Sequence, residues 1–113
     1  MVLGKGCDKM PILIARYEYA KLLSVIKRSD MPDDQWNWRK DYIGFEGCLL
    51  ILQSEFRHPS KAFIHITDFR RYLTTGCGEY VIDGNKLTII TRNSKYIFEI
   101  HGKDHLIWQQ ENY

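Results

Sequence analysis

The sequence predicts an α+β fold: one main N-terminal helix packed on a mainly antiparallel sheet of about five strands. Three observations predict it. Residues 79–100 read as three short strands joined by two tight turns, a C-terminal three-stranded meander. Ile12, Ala15, Tyr19, Leu22, Leu23 and Ile26 recur at helical spacing and form one apolar stripe. Between these regions, Cys48-Leu49-Leu50-Ile51-Leu52 and Ala62-Phe63-Ile64-His65-Ile66 are apolar blocks of strand length.

Taken in order, residues 1–7 read as a flexible lead with Gly4 and Gly6, and Asp8 is a candidate cap for a helix that tolerates Pro11 in its first turn. The helix is expected over residues 12–28. Arg16, Lys21, Ser24, Lys27 and Arg28 lie mostly off its apolar stripe, and Pro32 stops it. A polar connection carrying Trp36 and Trp38 follows. Periodicity does not separate strand from helix over residues 42–56, but Gly44, Gly47 and the short aliphatic block favour strand. After the turn Arg57-His58-Pro59-Ser60, residues 62–66 form a strand. Thr67 or Asp68 would cap a brief helix over residues 69–73. Asp83-Gly84-Asn85 and Arg92-Asn93-Ser94 supply the two turns of the meander. Alternation sets Leu87, Ile89 and Thr91 on one face of their strand, and Tyr96, Phe98 and Ile100 on one face of the next. Residues 102–113 are a tail whose Leu106, Ile107 and Trp108 can pack back onto the sheet.

Composition is that of a single globular domain spanning residues 1–113. The chain has 113 residues, 44% hydrophobic and 27% charged, which excludes wholesale disorder. A net charge of +2 is small for a dedicated nucleic-acid binder. No segment is long and apolar enough to span a membrane as a helix, and the N-terminal apolar run breaks at Arg16, unlike a signal peptide. Cys7, Cys48 and Cys77 are odd in number and far apart, which points to a reducing cytoplasm rather than a disulfide framework.

Catalytic and metal-binding patterns are weak. His101 and His105 are four apart, but Gly102 between them works against the helix that would aim both at one metal. Gly76-Cys77-Gly78 holds a thiol that would act as a nucleophile only if His58 or His65 approached it. There is no phosphate loop, nucleophile elbow or dinucleotide fingerprint, so no cofactor and no enzyme activity is expected.

The most unusual segment is Trp36-Asn37-Trp38-Arg39-Lys40-Asp41-Tyr42. In an extended chain both indoles point the same way, with two cations directly after them. Trp36, Trp38, Arg39, Lys40 and Tyr42 are therefore the candidate partner-binding residues, because tryptophan, tyrosine and arginine dominate interface hot spots. The plainer reading has both indoles closing the edge of the core. The function expected is a small cytoplasmic protein-binding factor, such as an inhibitor, an immunity protein or a phage or mobile-element accessory protein. It would act stoichiometrically by occupying a partner protein's surface. The alternative is a nucleic-acid-binding module using the basic turns and exposed aromatics, with contacts through Arg57, Lys61, Arg70, Arg71, Arg92 and Lys95. A homodimer is a further option if the last strand of the meander leaves an open edge.

Overall fold

The computed structural model describes residues 12–53 and 61–104. It is built from seven strands: β1 (Ile12–Lys27), β2 (Glu46–Gln53), β3 (Lys61–Thr67), β4 (Tyr72–Thr74), β5 (Gly78–Asp83), β6 (Lys86–Thr91) and β7 (Ser94–Lys103). Among the described residues the helical content is one short segment between β1 and β2, an α-helical turn α1 (Asp33–Trp36) running into a 3-10 turn (Asn37–Tyr42). The α+β arrangement of one main helix on about five strands is thus overturned. The described residues form a single antiparallel sheet of seven strands, ordered β2-β1-β7-β6-β5-β3-β4, and a further pairing of β2 with β3 closes it on itself.

The correction centres on residues 12–28, which form a strand instead of the main helix. Its buried positions are Ala15, Tyr17, Ala20, Leu22 and Val25, which advance by steps of two and three instead of a uniform two. The steps of three coincide with register shifts, between Tyr17 and Ala20 against β2 and between Leu22 and Ser24 against β7. A β-bulge inserts one extra residue and twists the strand, so these two of the three register shifts in β1 imitate a helical spacing. Of the apolar stripe, only Ala15 and Leu22 are buried; Ile12, Leu23 and Ile26 face outward. The brief helix expected over 69–73 is likewise absent: a turn leads directly into β4. The expected cap at Asp8 and the tail residues Leu106, Ile107 and Trp108 lie outside the described residues.

The C-terminal strands pair as β5–β6 and β6–β7, both antiparallel. Gly84, with φ +61, and Asn85 turn β5 into β6, and only the first of the two has positive φ, the sign pattern of a type II′ hairpin. Closure pairs the other edge of β7 with β1, so the open edge expected on the last strand does not exist.

The core fills the inside of the closed sheet. Leu49 and Ile51 of β2, Ala62, Ile64 and Ile66 of β3, Leu87 and Ile89 of β6, and Tyr96, Phe98 and Ile100 of β7 are all buried. Each fully buried aliphatic contributes roughly 1.5–3 kcal/mol relative to exposure. Between β4 and β5, Thr75 keeps the seam against β3 bonded: its N–H donates to the Ile64 carbonyl at 2.9 Å and its hydroxyl accepts from the Ile64 N–H at 3.0 Å.

Candidate functional site

The β1–β2 connection is tied to the sheet at its start, where the Arg28 N–H donates to the Asn93 carbonyl at 2.9 Å, and at its end by two bonds with Leu22. The Gly44 N–H donates to the Leu22 carbonyl at 2.7 Å, and the Leu22 N–H donates to the Phe45 carbonyl at 3.0 Å. Between these anchors the helical turns separate the two indoles. Trp36 is 1% exposed and its Nε1–H donates to the Ser94 hydroxyl at 2.9 Å and the Asn93 carbonyl at 3.2 Å. Trp38 is 45% exposed. The extended arrangement with both indoles on one side therefore gives way to one indole in the core and one at the surface.

The β3–β4 turn meets this connection. Asp68 Oδ1 accepts the N–H groups of Arg70 and Arg71 at 2.6 and 2.7 Å, and Thr67 Oγ1 donates to the Arg71 carbonyl at 3.0 Å. The hydrogen bonds from the Arg71 and Arg70 amides hold the Asp68 carboxyl below its usual pKa. A turn pinned in this way presents Phe69 at its tip, 95% exposed. The Arg71 guanidinium reaches back over the rings of Phe45 and Tyr42, 4.8 and 5.2 Å from their centroids. Tyr42 packs edge-on against Trp38 at 6.0 Å and against Phe45 at 5.8 Å. Arg39 lies over Trp38, 4.6 Å from its centroid, and donates to the Trp36 carbonyl at 3.1 Å. Lys40 sits 5.8 Å from the Trp36 ring.

These side chains border a cavity of about 460 Å³ lined by Trp38, Tyr42, Arg70, Arg71, Tyr72, Leu73 and Thr74. It is a concave aromatic surface with a cationic rim. Of the five partner-binding residues expected from the sequence, Trp38 and Tyr42 line it and Arg39 lies over Trp38, while Trp36 belongs to the core with Lys40 beside its ring. Tyr72 lines the surface, Phe69 precedes Arg70 on the adjoining turn, and both escaped sequence reasoning. The signal was Asp68 followed at two and three residues by the amides it caps, which suits a tight turn as well as a helix start.

The basic residues expected to contact nucleic acid divide into groups. Arg70 and Arg71 join the aromatic cavity, whereas Lys61 and Arg92 line a second cavity of about 350 Å³ with Arg28, Cys77, Gly78, Glu79, Ile90 and Thr91. Lys95 lies on the outer face of β7, in register with Ile26 and Ile90. Arg57 lies outside the described residues. Of the catalytic candidates, Cys77 lines the second cavity, and His65 instead sits 2.8 Å from the Thr74 hydroxyl and stacks 5.5 Å from Tyr72. His101 contacts Glu99 at 2.7 Å and the Tyr19 ring at 5.8 Å. His58 and His105 fall outside the described residues. Among the described residues no three histidine, cysteine or carboxylate groups come together to hold a metal ion, and no helix is long and apolar enough to cross a membrane.

Comparison of the chain with protein-family models, with curated proteins and with solved structures finds no match.

Proposed function

We propose that the protein is a stoichiometric protein-binding factor, of the inhibitor or accessory type, that engages its partner through the aromatic cavity and the Phe69 tip. The observation that carries this reading is Phe69 itself. A phenylalanine 95% exposed on a turn braced by three hydrogen bonds is a pre-ordered apolar anchor beside a concave aromatic surface. Ordering such an anchor before binding lowers the entropy cost of association. Aromatic and arginine side chains together are the composition of interface hot spots.

The test is affinity capture from a native-like lysate treated with nuclease, comparing the unmodified protein with Phe69→Ala and Trp38→Ala. A partner recovered in near-equal amount by the unmodified protein, and reduced about tenfold or more by either variant at unchanged thermal unfolding, supports the reading. Equal recovery by all three proteins overturns it.

A second reading follows from Arg39 stacked on Trp38 and Arg71 on Tyr42, because paired aromatic and guanidinium planes also suit unstacked bases. Nucleic-acid binding would fall steeply with added salt. A flat salt response removes this alternative.

A further inference from the structure

The aromatic cavity runs along an unfilled sheet edge. Every strand among the described residues has a neighbour on both sides over at least part of its length except β4, which pairs only with β3. The register is His65 with Thr74, Ile66 with Leu73 and Thr67 with Tyr72, and the Thr75 N–H donates to the Ile64 carbonyl. Antiparallel pairs alternate between bonded and non-bonded, so Thr75 and Leu73 turn their backbone groups toward β3. Tyr72 and Thr74 therefore direct their N–H and C=O groups away from β3, where they have no backbone partner among the described residues. The cavity is lined by five consecutive residues, from Arg70 to Thr74. A strand face presents alternate residues, so a consecutive lining marks the strand's edge.

We propose that β4 is a strand-addition site for an extended, acidic segment of a partner protein. This rests on the protein-binding reading above and specifies its partner. The segment's backbone would pair with Tyr72 and Thr74, and its alternate side chains would enter the space between that edge and Trp38 and Tyr42. Charge selects the acidic class. None of Arg39, Arg70 and Arg71 takes part in the ion pairs of the described residues, which join Arg16 to Asp104, Lys27 to Asp33 and His101 to Glu99. The Asp68 carboxylate accepts backbone N–H groups and its charge offsets part of that of Arg71 and Arg70, which leaves the rim of Arg39, Arg70 and Arg71 net positive. The rim thus offers cations to a carboxylate-bearing strand. A second copy of this chain, pairing β4 with β4, would bring two such cationic rims together.

The test is amide hydrogen exchange on the isotope-labelled full chain, with three synthetic peptides as probes at roughly millimolar concentration, the range of a weak single-strand contact. The first alternates glutamate with valine and phenylalanine over seven residues. The second replaces each glutamate by lysine. The third is the glutamate peptide with its backbone nitrogens methylated at alternate residues, which removes the donors a β4 edge would accept. Strand addition predicts exchange at the Tyr72 and Thr74 amides slowed about tenfold or more by the first peptide alone. Three outcomes would overturn it: no slowing at those amides, equal slowing by the lysine or methylated peptide, or slowing that grows with protein concentration without peptide, which identifies self-association. If a captured partner is lost on Phe69→Ala yet leaves the Tyr72 and Thr74 amides unprotected, protein binding stands and strand addition fails.

Discussion

The Trp36 indole donates to the Ser94 hydroxyl at 2.9 Å, joining the β1–β2 connection to the start of β7 across 58 residues of sequence. Ser94 is itself buried, and its N–H donates to Thr91 Oγ1 at 3.2 Å. The contact closes one end of the sheet and fixes where Trp38 and Tyr42 are displayed. Trp36→Ala removes a fully buried indole and leaves the Ser94 hydroxyl short of a partner, a loss of about 3–5 kcal/mol. Trp38→Ala, at a half-exposed position, should change stability by less than about 1 kcal/mol. Urea denaturation of the two variants checks the contrast; equal losses would mean that Trp38 is also structural.

Thr75 and Ile64 form a second long-range dependence. The Thr75 hydroxyl accepts the Ile64 N–H at 3.0 Å while donating to the Gly76 carbonyl at 2.8 Å, so one side chain completes the ladder at the seam between β4 and β5. β3 and β5 share only the pairs Lys61 with Glu79 and Ala62 with Gly78, which leaves this seam lightly held. Thr75→Val keeps the shape and removes the acceptor, leaving the buried Ile64 N–H unsatisfied at a cost of about 1–3 kcal/mol. Thr75→Ser should recover most of it. Hydrogen exchange at the Ile64 amide measures the effect locally, and an unchanged rate in Thr75→Val would refute it.

The glycines on either side of Cys77 behave oppositely. A Cβ on Gly78 would lie 1.9 Å from the Ile90 carbonyl oxygen, inside the β5–β6 pairing, where only backbone displacement can relieve it. A Cβ on Gly76 would meet Thr91 Cβ at 3.7 Å, an ordinary contact, and Gly76 is not among the positive-φ glycines. Gly78→Ala should cost about 3 kcal/mol, the upper end of overpacking. Gly76→Ala should be neutral or stabilise by up to about 1 kcal/mol through the unfolded chain. Thermal unfolding separates them; similar values would show that both glycines serve flexibility instead of close packing.

What the sequence reveals depends on how local each cause is. Leu87, Ile89 and Thr91, then Tyr96, Phe98 and Ile100, keep strict alternation and are joined by local turns, so the buried faces of the meander could be read directly. β1 could not. Its bulges answer to partners about thirty and eighty residues away, as the pairs Tyr17 with Leu49 and Leu22 with Phe98 show, and they disguise a strand as an apolar helix. Closure of the sheet through β2 and β3 and through β1 and β7 is equally non-local. At the candidate site, composition singled out Trp38, Arg39 and Tyr42, but only the fold separates Trp36 from them. Phe69 was hidden because Asp68 satisfies two amides in a tight turn with the same chemistry that begins a helix.

That turn has a pH signature. The Arg71 and Arg70 amides stabilise the ionised Asp68 carboxylate, so its folded pKa lies below the usual 3.8. A depressed carboxylate contributes order that is complete above the unfolded value and is lost as pH falls through the folded one. The turn displaying Phe69 should therefore stay braced at neutral pH and loosen only below about pH 4. Asp68→Asn retains an oxygen acceptor for both N–H groups but cannot titrate in this range. Amide shifts of Arg70 and Arg71 followed from neutral to acidic pH should show a transition in the unmodified protein that Asp68→Asn lacks. A transition that persists in the variant would assign the acid response to another group.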